Sequence, residues 1–225
     1  MQQRFKLSLL QETIADDAAA LNVKASLLTD IAIEVMAHIE ARMRPYLWLD
    51  YQISLPKPLL ALIDWEDWRK ENAVFSDFLW EKTCLECFLQ FSKQSGYVEI
   101  NAAPSGEFAI YQFLDYRTPN QLPPKPLLLN DKFSSNQMTN DNRASVFWQN
   151  SDDLNPPAAL LRRKFAIDLS QTPNFDVALP HFGLIKLQPC VILAFGKHQL
   201  YFAPHHALPP DFHDSKFWQD FNPKP

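Results

Sequence analysis

The sequence predicts a mostly β fold, an antiparallel β-sandwich of the jelly-roll or immunoglobulin-like kind carrying one N-terminal helix. Short apolar segments recur with a period of two, the spacing of a strand with one buried face. The 18 prolines cluster between these segments, as at Pro56 and Pro58, Pro123 to Pro126, Pro156 and Pro157, and Pro209 and Pro210, where they read as rigid turns. Only four glycines are present, at positions 96, 106, 183 and 196, and no two lie close enough to build a phosphate-binding loop. That removes dinucleotide and P-loop α/β folds. At 225 residues the chain is the right size for one such domain, spanning 1–225.

In chain order, Arg4 to Leu10 alternates as a first strand. Ser26 to Met43 places Leu27, Leu28, Ile31, Ile33, Val35, Met36 and Ile39 at helix-compatible spacing behind a Ser26 cap, and it predicts the helix. Tyr46 to Leu55 alternates as a strand. Residues 59–78 mix Trp65, Trp68, Phe75 and Phe78 with acids and read as loop with a helical turn. The centre is clearer: Cys84 to Phe91, Tyr97 to Ala102 and Glu107 to Arg117, the last two joined by Pro104-Ser105-Gly106, predict an antiparallel meander. Gln121 to Asn155 is polar and rich in Asn and Pro, a long loop with one short strand near Val146 to Trp148. Strands resume at Lys164 to Leu169, Leu184 to Leu187, Val191 to Phe195 and Gln199 to Ala203, ahead of an irregular aromatic tail.

Composition sets limits on function. Hydrophobic residues make up 47%, enough for a sizeable core. A net charge of −5 gives no footprint for nucleic acid or an anionic membrane surface. Polar residues interrupt the opening segment every few positions, unlike a signal peptide, and no window reaches the ~18 apolar residues of a membrane-spanning helix. Three cysteines form no disulfide framework, so a reducing cytoplasm is the expected location.

LWEKTCLECFL (79–89), followed by YVEINAAPSGEFAIYQFLDYR (97–117), resembles the bacterial DOMON-like domains, relatives of the family 9 carbohydrate-binding modules. The tail QLYFAPHHALPPDFHDSKF (199–217) is similar to that group's closing run of Tyr-Trp-Ala-Leu-x-His and Pro-Asp-Phe-His. The resemblance covers roughly 79–117 and 180–217 and implies a β-sandwich with a ligand cleft on one face. In the family 9 modules a Trp followed six positions later by a Glu belongs to the sugar site, and Trp80 and Glu86 repeat that spacing. An aromatic face stacks on the C–H side of a pyranose while a carboxylate accepts hydrogen bonds from adjacent hydroxyls. Phe202 stands where the group carries its second Trp, and the doubled His205-His206 replaces a single His. Other DOMON relatives bind haem or serve as interaction domains. For this chain the first would use a His such as His205 with a Met such as Met138, and the second exposed aromatics such as Trp65 and Trp68.

Each candidate has a structural alternative. Trp80 is either a stacking ring or a core anchor at a strand start, and Glu86 either a site group or a solvated outer-face carboxylate. Asn101, on the same strand face as Glu99, and Arg117, at a strand end, would complete a polar site; Phe202 and His205 join them through the resemblance. Cys84 and Cys87, three apart on a strand, point to opposite faces and read as packing thiols. His198, His205, His206 and His213, with Asp211 and Asp214, match no metal-binding spacing; His213 reads as fixing the tail loop through hydrogen bonds. No nucleophile elbow, Cys/His signature or HExxH motif is present, and Asp64 and Glu66 beside Trp65 make a poor glycosidase pair. The expected function is non-catalytic binding of a carbohydrate or similar polar small molecule without a cofactor.

Overall fold

The computed structural model describes residues 2–41, 43–92, 96–129, 142–149 and 160–224. Among the described residues, eleven strands form one antiparallel sheet: β1 (Gln2–Leu9), β2 (Ala32–Ala41), β3 (Pro45–Ser54), β4 (Cys84–Phe91), β5 (Tyr97–Ala102), β6 (Phe108–Phe113), β7 (Val146–Gln149), β8 (Leu160–Asp168), β9 (Leu184–Phe195), β10 (His198–Ala203) and β11 (Gln219–Asp220). Their order is β6-β5-β4-β9-β10-β1-β2-β3-β8-β7, with β11 added beside β9. The joint is β1, which pairs with β2 through Gln2 to Leu7 and then, at Ser8 and Leu9, with β10.

The sheet curls over on itself into a nearly closed, barrel-like shape. Tyr51 on β3 and Glu86 on β4 are far apart in strand order, yet the Tyr51 hydroxyl donates to the Glu86 carbonyl at 2.6 Å, fully buried. Inward-facing residues of both halves, among them Phe5, Val35, Leu49, Leu85, Ile100, Val191 and Phe202, merge into one hydrophobic cluster. Burying such side chains is the main driving force for the closure.

The helix expected over Ser26 to Met43 is replaced by a short helix, Ala25–Thr29, running into β2. The β-branched Ile31, Ile33 and Val35, with Ala37, obey a period of two as well as a helical one, and all four are buried. Pairing to β1 on one side and β3 on the other, as at Phe5↔Val35↔Tyr51, decides between the periods. Two further short helices, Ile14–Ala20 and Lys57–Leu60, sit outside the sheet.

Two strand expectations merge, because β9 runs unbroken through Pro189. Its pairing with β11 ends at Leu187 and with β10 begins at Val191, so Pro189 lies where β4 is its one neighbour. The strand expected to reach Arg117 stops at Phe113, and the chain turns through Asp115 to Thr118 with Arg117 at φ 45°.

Candidate functional site

In the half of the sheet formed by β6, β5, β4, β9 and β10, the strands β4, β5 and β6 and residues 187–195 of β9 are buried on both faces. One face joins the main core through Leu85, Cys87 and Leu89; the other carries a second cluster that includes Cys84, Phe88, Tyr111, Phe113, Cys190 and Ile192. Cys84 and Cys87 thus lie on opposite faces, both as buried free thiols. The loop before β4 and the tail after β10 cover the second face, with Phe75, Trp80 and Phe212 packed on it. Where that cover is incomplete, a pocket of about 360 Å³ opens. This is at the small end of the range for ligand sites.

Its floor is acidic. Glu86 on β4 and Glu99 on β5 are 3% and 4% exposed. The register pairs Glu86 with Asn101 and Phe88 with Glu99, so the two carboxyls are diagonal neighbours on one face. Glu86 is therefore no solvated outer-face carboxylate. Asn101, wholly buried on the same face, donates from Nδ2 to Glu99 Oε1 at 2.8 Å and holds that carboxyl in place. Burial drives the pKa of both acids upward. The neighbouring Glu99 charge adds to the rise at Glu86, while the Asn101 hydrogen bond and the Arg117 charge oppose it at Glu99.

Trp80 sits in a single helical turn, Leu79–Glu81, that follows Phe78 in the left-handed conformation, φ 62°. It is half-buried, edge-on to Phe78 and Tyr111, and lines the pocket. Its carbonyl accepts from Gln199 Nε2 at 2.8 Å, and Gln199 Oε1 accepts from the Tyr201 hydroxyl at 2.9 Å. These two bonds tie the Trp80 turn to β10 and fix a second ring in the wall.

The tail closes the remaining side. The Arg117 guanidinium donates to Asp211 Oδ1 at 2.9 Å, and the Tyr116 hydroxyl donates to Asp211 Oδ2 at 2.5 Å. The Arg117 amide donates to the Tyr97 oxygen at 3.2 Å, leaving the Tyr97 proton for His213 Nδ1, 2.6 Å away. That assignment puts the imidazole proton on Nε2, the nitrogen facing Glu99 Oε2 at 3.8 Å. Burial first and the Arg117 charge second hold the His213 pKa down at about 3, against the opposing pull of Asp211.

Of the expected site residues, Trp80, Glu86 and Arg117 line the pocket and Asn101 supports its floor. Phe202 and His205 do not belong to it. Strand alternation points Tyr201, paired with Ile192, into the pocket and buries Phe202, paired with Val191, in the main core. His205 is exposed beyond the end of β10, beside Gln219. The histidine in the pocket is His213. For a haem site, His205 is misplaced and Met138 lies outside the described residues. Nor are Trp65 and Trp68 exposed: both are half-buried, and the Arg163 guanidinium lies over the Trp65 ring at 5.0 Å. Asp64 is engaged at the β9–β10 turn, where it accepts from the Gly196 amide at 2.7 Å. Among the described residues no group of His, Cys, Asp or Glu is arranged to hold a metal ion, and no helix is long and apolar enough to cross a membrane.

Glu99, Gln199, Tyr201, Asp211 and His213 are among the lining residues that the sequence did not single out for the site. Three of them were within reach. Once Leu85 and Val191 are assigned to the core, the alternation along β5 and β10 turns Glu99, Gln199 and Tyr201 to the other side. Asp211 and His213 reach the pocket by a tail path that no periodicity encodes.

No known family model matches the chain, and no curated protein does. Among solved structures, the chain is similar to a "putative carbohydrate-binding protein" from Bacteroides uniformis ATCC 8492. The two share 12% identity at a TM-score of 0.46, over 98% of this chain and 84% of the other.

Proposed function

We propose that this protein is a non-catalytic binding domain for a carbohydrate or a similar polar small molecule, held between Trp80 and Tyr201 over the floor made by Glu86 and Glu99. The observation that carries the reading is the pairing of two buried carboxyls with aromatic walls in one cavity of about 360 Å³. A sugar presents an apolar C–H face to an aromatic ring and vicinal hydroxyls to a carboxyl, so it uses both parts of the pocket. Asn101 orients Glu99, and Gln199 holds the Trp80 turn and the Tyr201 ring. The motif resemblance to DOMON-like domains and family 9 carbohydrate-binding modules supports the same pair, Trp80 and Glu86. In this reading the folded-over sheet is a sandwich whose two leaves join through β1. The three free thiols suit a reducing compartment such as the cytoplasm.

Calorimetric titration with a panel of monosaccharides and disaccharides tests the proposal. A sugar that binds wild type, at least about tenfold more weakly to Glu86→Gln and measurably more weakly to Trp80→Ala, is the expected result. Unchanged affinity in both variants, or no binding by any sugar, would refute it.

A further inference from the structure

We propose that the ligand of this pocket carries a positive charge, the fitting class being a sugar or sugar-like polyol bearing a protonated amine. The inference rests on the binding reading above and narrows it. It follows from a charge inventory and the character of the walls.

The pocket lining contains four acids, Glu81, Glu86, Glu99 and Asp211, against a single arginine, Arg117. That arginine is already committed, because its guanidinium is spent on Asp211. Among the described residues, neither Glu86 nor Glu99 has a lysine or arginine in ion-pair contact; the His213 imidazole lies 3.8 Å from Glu99. Two desolvated carboxyls on one face therefore share a site with no lysine or arginine in ion-pair contact, the Arg117 charge reaching Glu99 only from beyond that distance. Such a pair holds at most one negative charge comfortably unless a cation is supplied.

The rings around them favour the same occupant. Trp80, Phe88, Phe113, Tyr201 and Phe212 all line the cavity, and the negative face of an aromatic ring attracts an ammonium group, most strongly where water is excluded. An anion would meet two carboxyls among five aromatic rings. A neutral sugar would use the hydrogen-bonding capacity of the floor but leave its charge uncompensated. An ammonium on the ligand satisfies carboxyl and ring together, while the hydroxyls of the same molecule reach Gln199 and the second carboxyl.

The test compares four probes by calorimetry on the intact protein near neutral pH: glucose, N-acetylglucosamine, glucosamine and choline. The expected result is that glucosamine binds at least about tenfold more tightly than glucose and N-acetylglucosamine, and that Glu86→Gln and Glu99→Gln, which keep side-chain shape, abolish the difference. If one variant fails to fold, the other and the wild-type comparison still decide. Equal affinity for the three sugars overturns the cation proposal and leaves carbohydrate binding standing. Binding of choline with no sugar bound supports the cation proposal and overturns the carbohydrate reading. No binding by any probe overturns both.

Discussion

His213 offers the sharpest quantitative test of how the tail closes the pocket. Its pKa is held at about 3, against an ordinary histidine value of 6.5, chiefly by burial and then by Arg117. The sign follows from linkage: between these values the unfolded chain binds more protons than the folded one, so stability rises with pH and is lost as pH falls below about 6.5. The loss between about pH 7 and pH 5 amounts to roughly 2 kcal/mol, and this figure requires only that the folded pKa lie well below 5. Glu86 and Glu99 act in the opposite sense. With folded pKa values raised above the ordinary 4.5, they make the protein less stable as pH rises from there. The bare pH profile mixes these terms, so the comparison should be made against His213→Asn, which keeps an acceptor near the Tyr97 hydroxyl. Urea unfolding of both proteins at the two pH values is expected to show wild type losing about 2 kcal/mol relative to the variant on acidification. Repeating the pair in a Glu99→Gln background removes the nearest carboxyl from the comparison. A constant difference between wild type and variant, or a His213 ring signal titrating near 6.5 by NMR, would refute the assignment of a buried neutral imidazole.

Three other expectations follow from the same geometry. Tyr51→Phe removes the buried bond to the Glu86 carbonyl that ties the two halves of the sheet, and should lower unfolding free energy by about 1–3 kcal/mol in urea titration. Arg117→Ala breaks a half-exposed ion pair and should cost at most about 1 kcal/mol, yet speed amide exchange across the Asp211 and His213 segment. At Gly106, φ is +119° and an added Cβ would lie 3.1 Å from the Arg69 carbonyl oxygen, so Gly106→Ala should destabilise by about 1–3 kcal/mol in a thermal melt.

The strands were legible where one face meets the core, because a period of two in apolar residues is a direct record of that burial. Leu85, Cys87 and Leu89 alternate with Glu86 and Phe88, and the structure keeps that division. The segment after Ser26 misled because Ile31, Ile33 and Val35 satisfy a period of two and a helical one at once, and only the neighbouring strands choose between them. The alternation alone left Glu86 open between a site group and a solvated outer-face carboxylate for a related reason: it separates faces, but it does not tell which face a distant loop will cover. The tail that buries Glu86 and Glu99 docks through bonds such as Arg117 and Tyr116 to Asp211 and Tyr97 to His213, across more than ninety residues of sequence. Such bonds leave no local pattern. Phe202 failed as a site residue because the motif match ignored alternation; its neighbour Tyr201 faces the pocket instead.

The most direct test of the central claim is chemical-shift mapping of the labelled protein during titration with glucosamine and, separately, glucose. Shifts confined to the Trp80 indole and to the backbone of Glu86, Glu99, Gln199, Tyr201 and Asp211 are expected. Shifts centred instead on Trp65, Trp68 or His205, or no shifts with either sugar, would contradict a binding site built on Trp80 and the two buried glutamates.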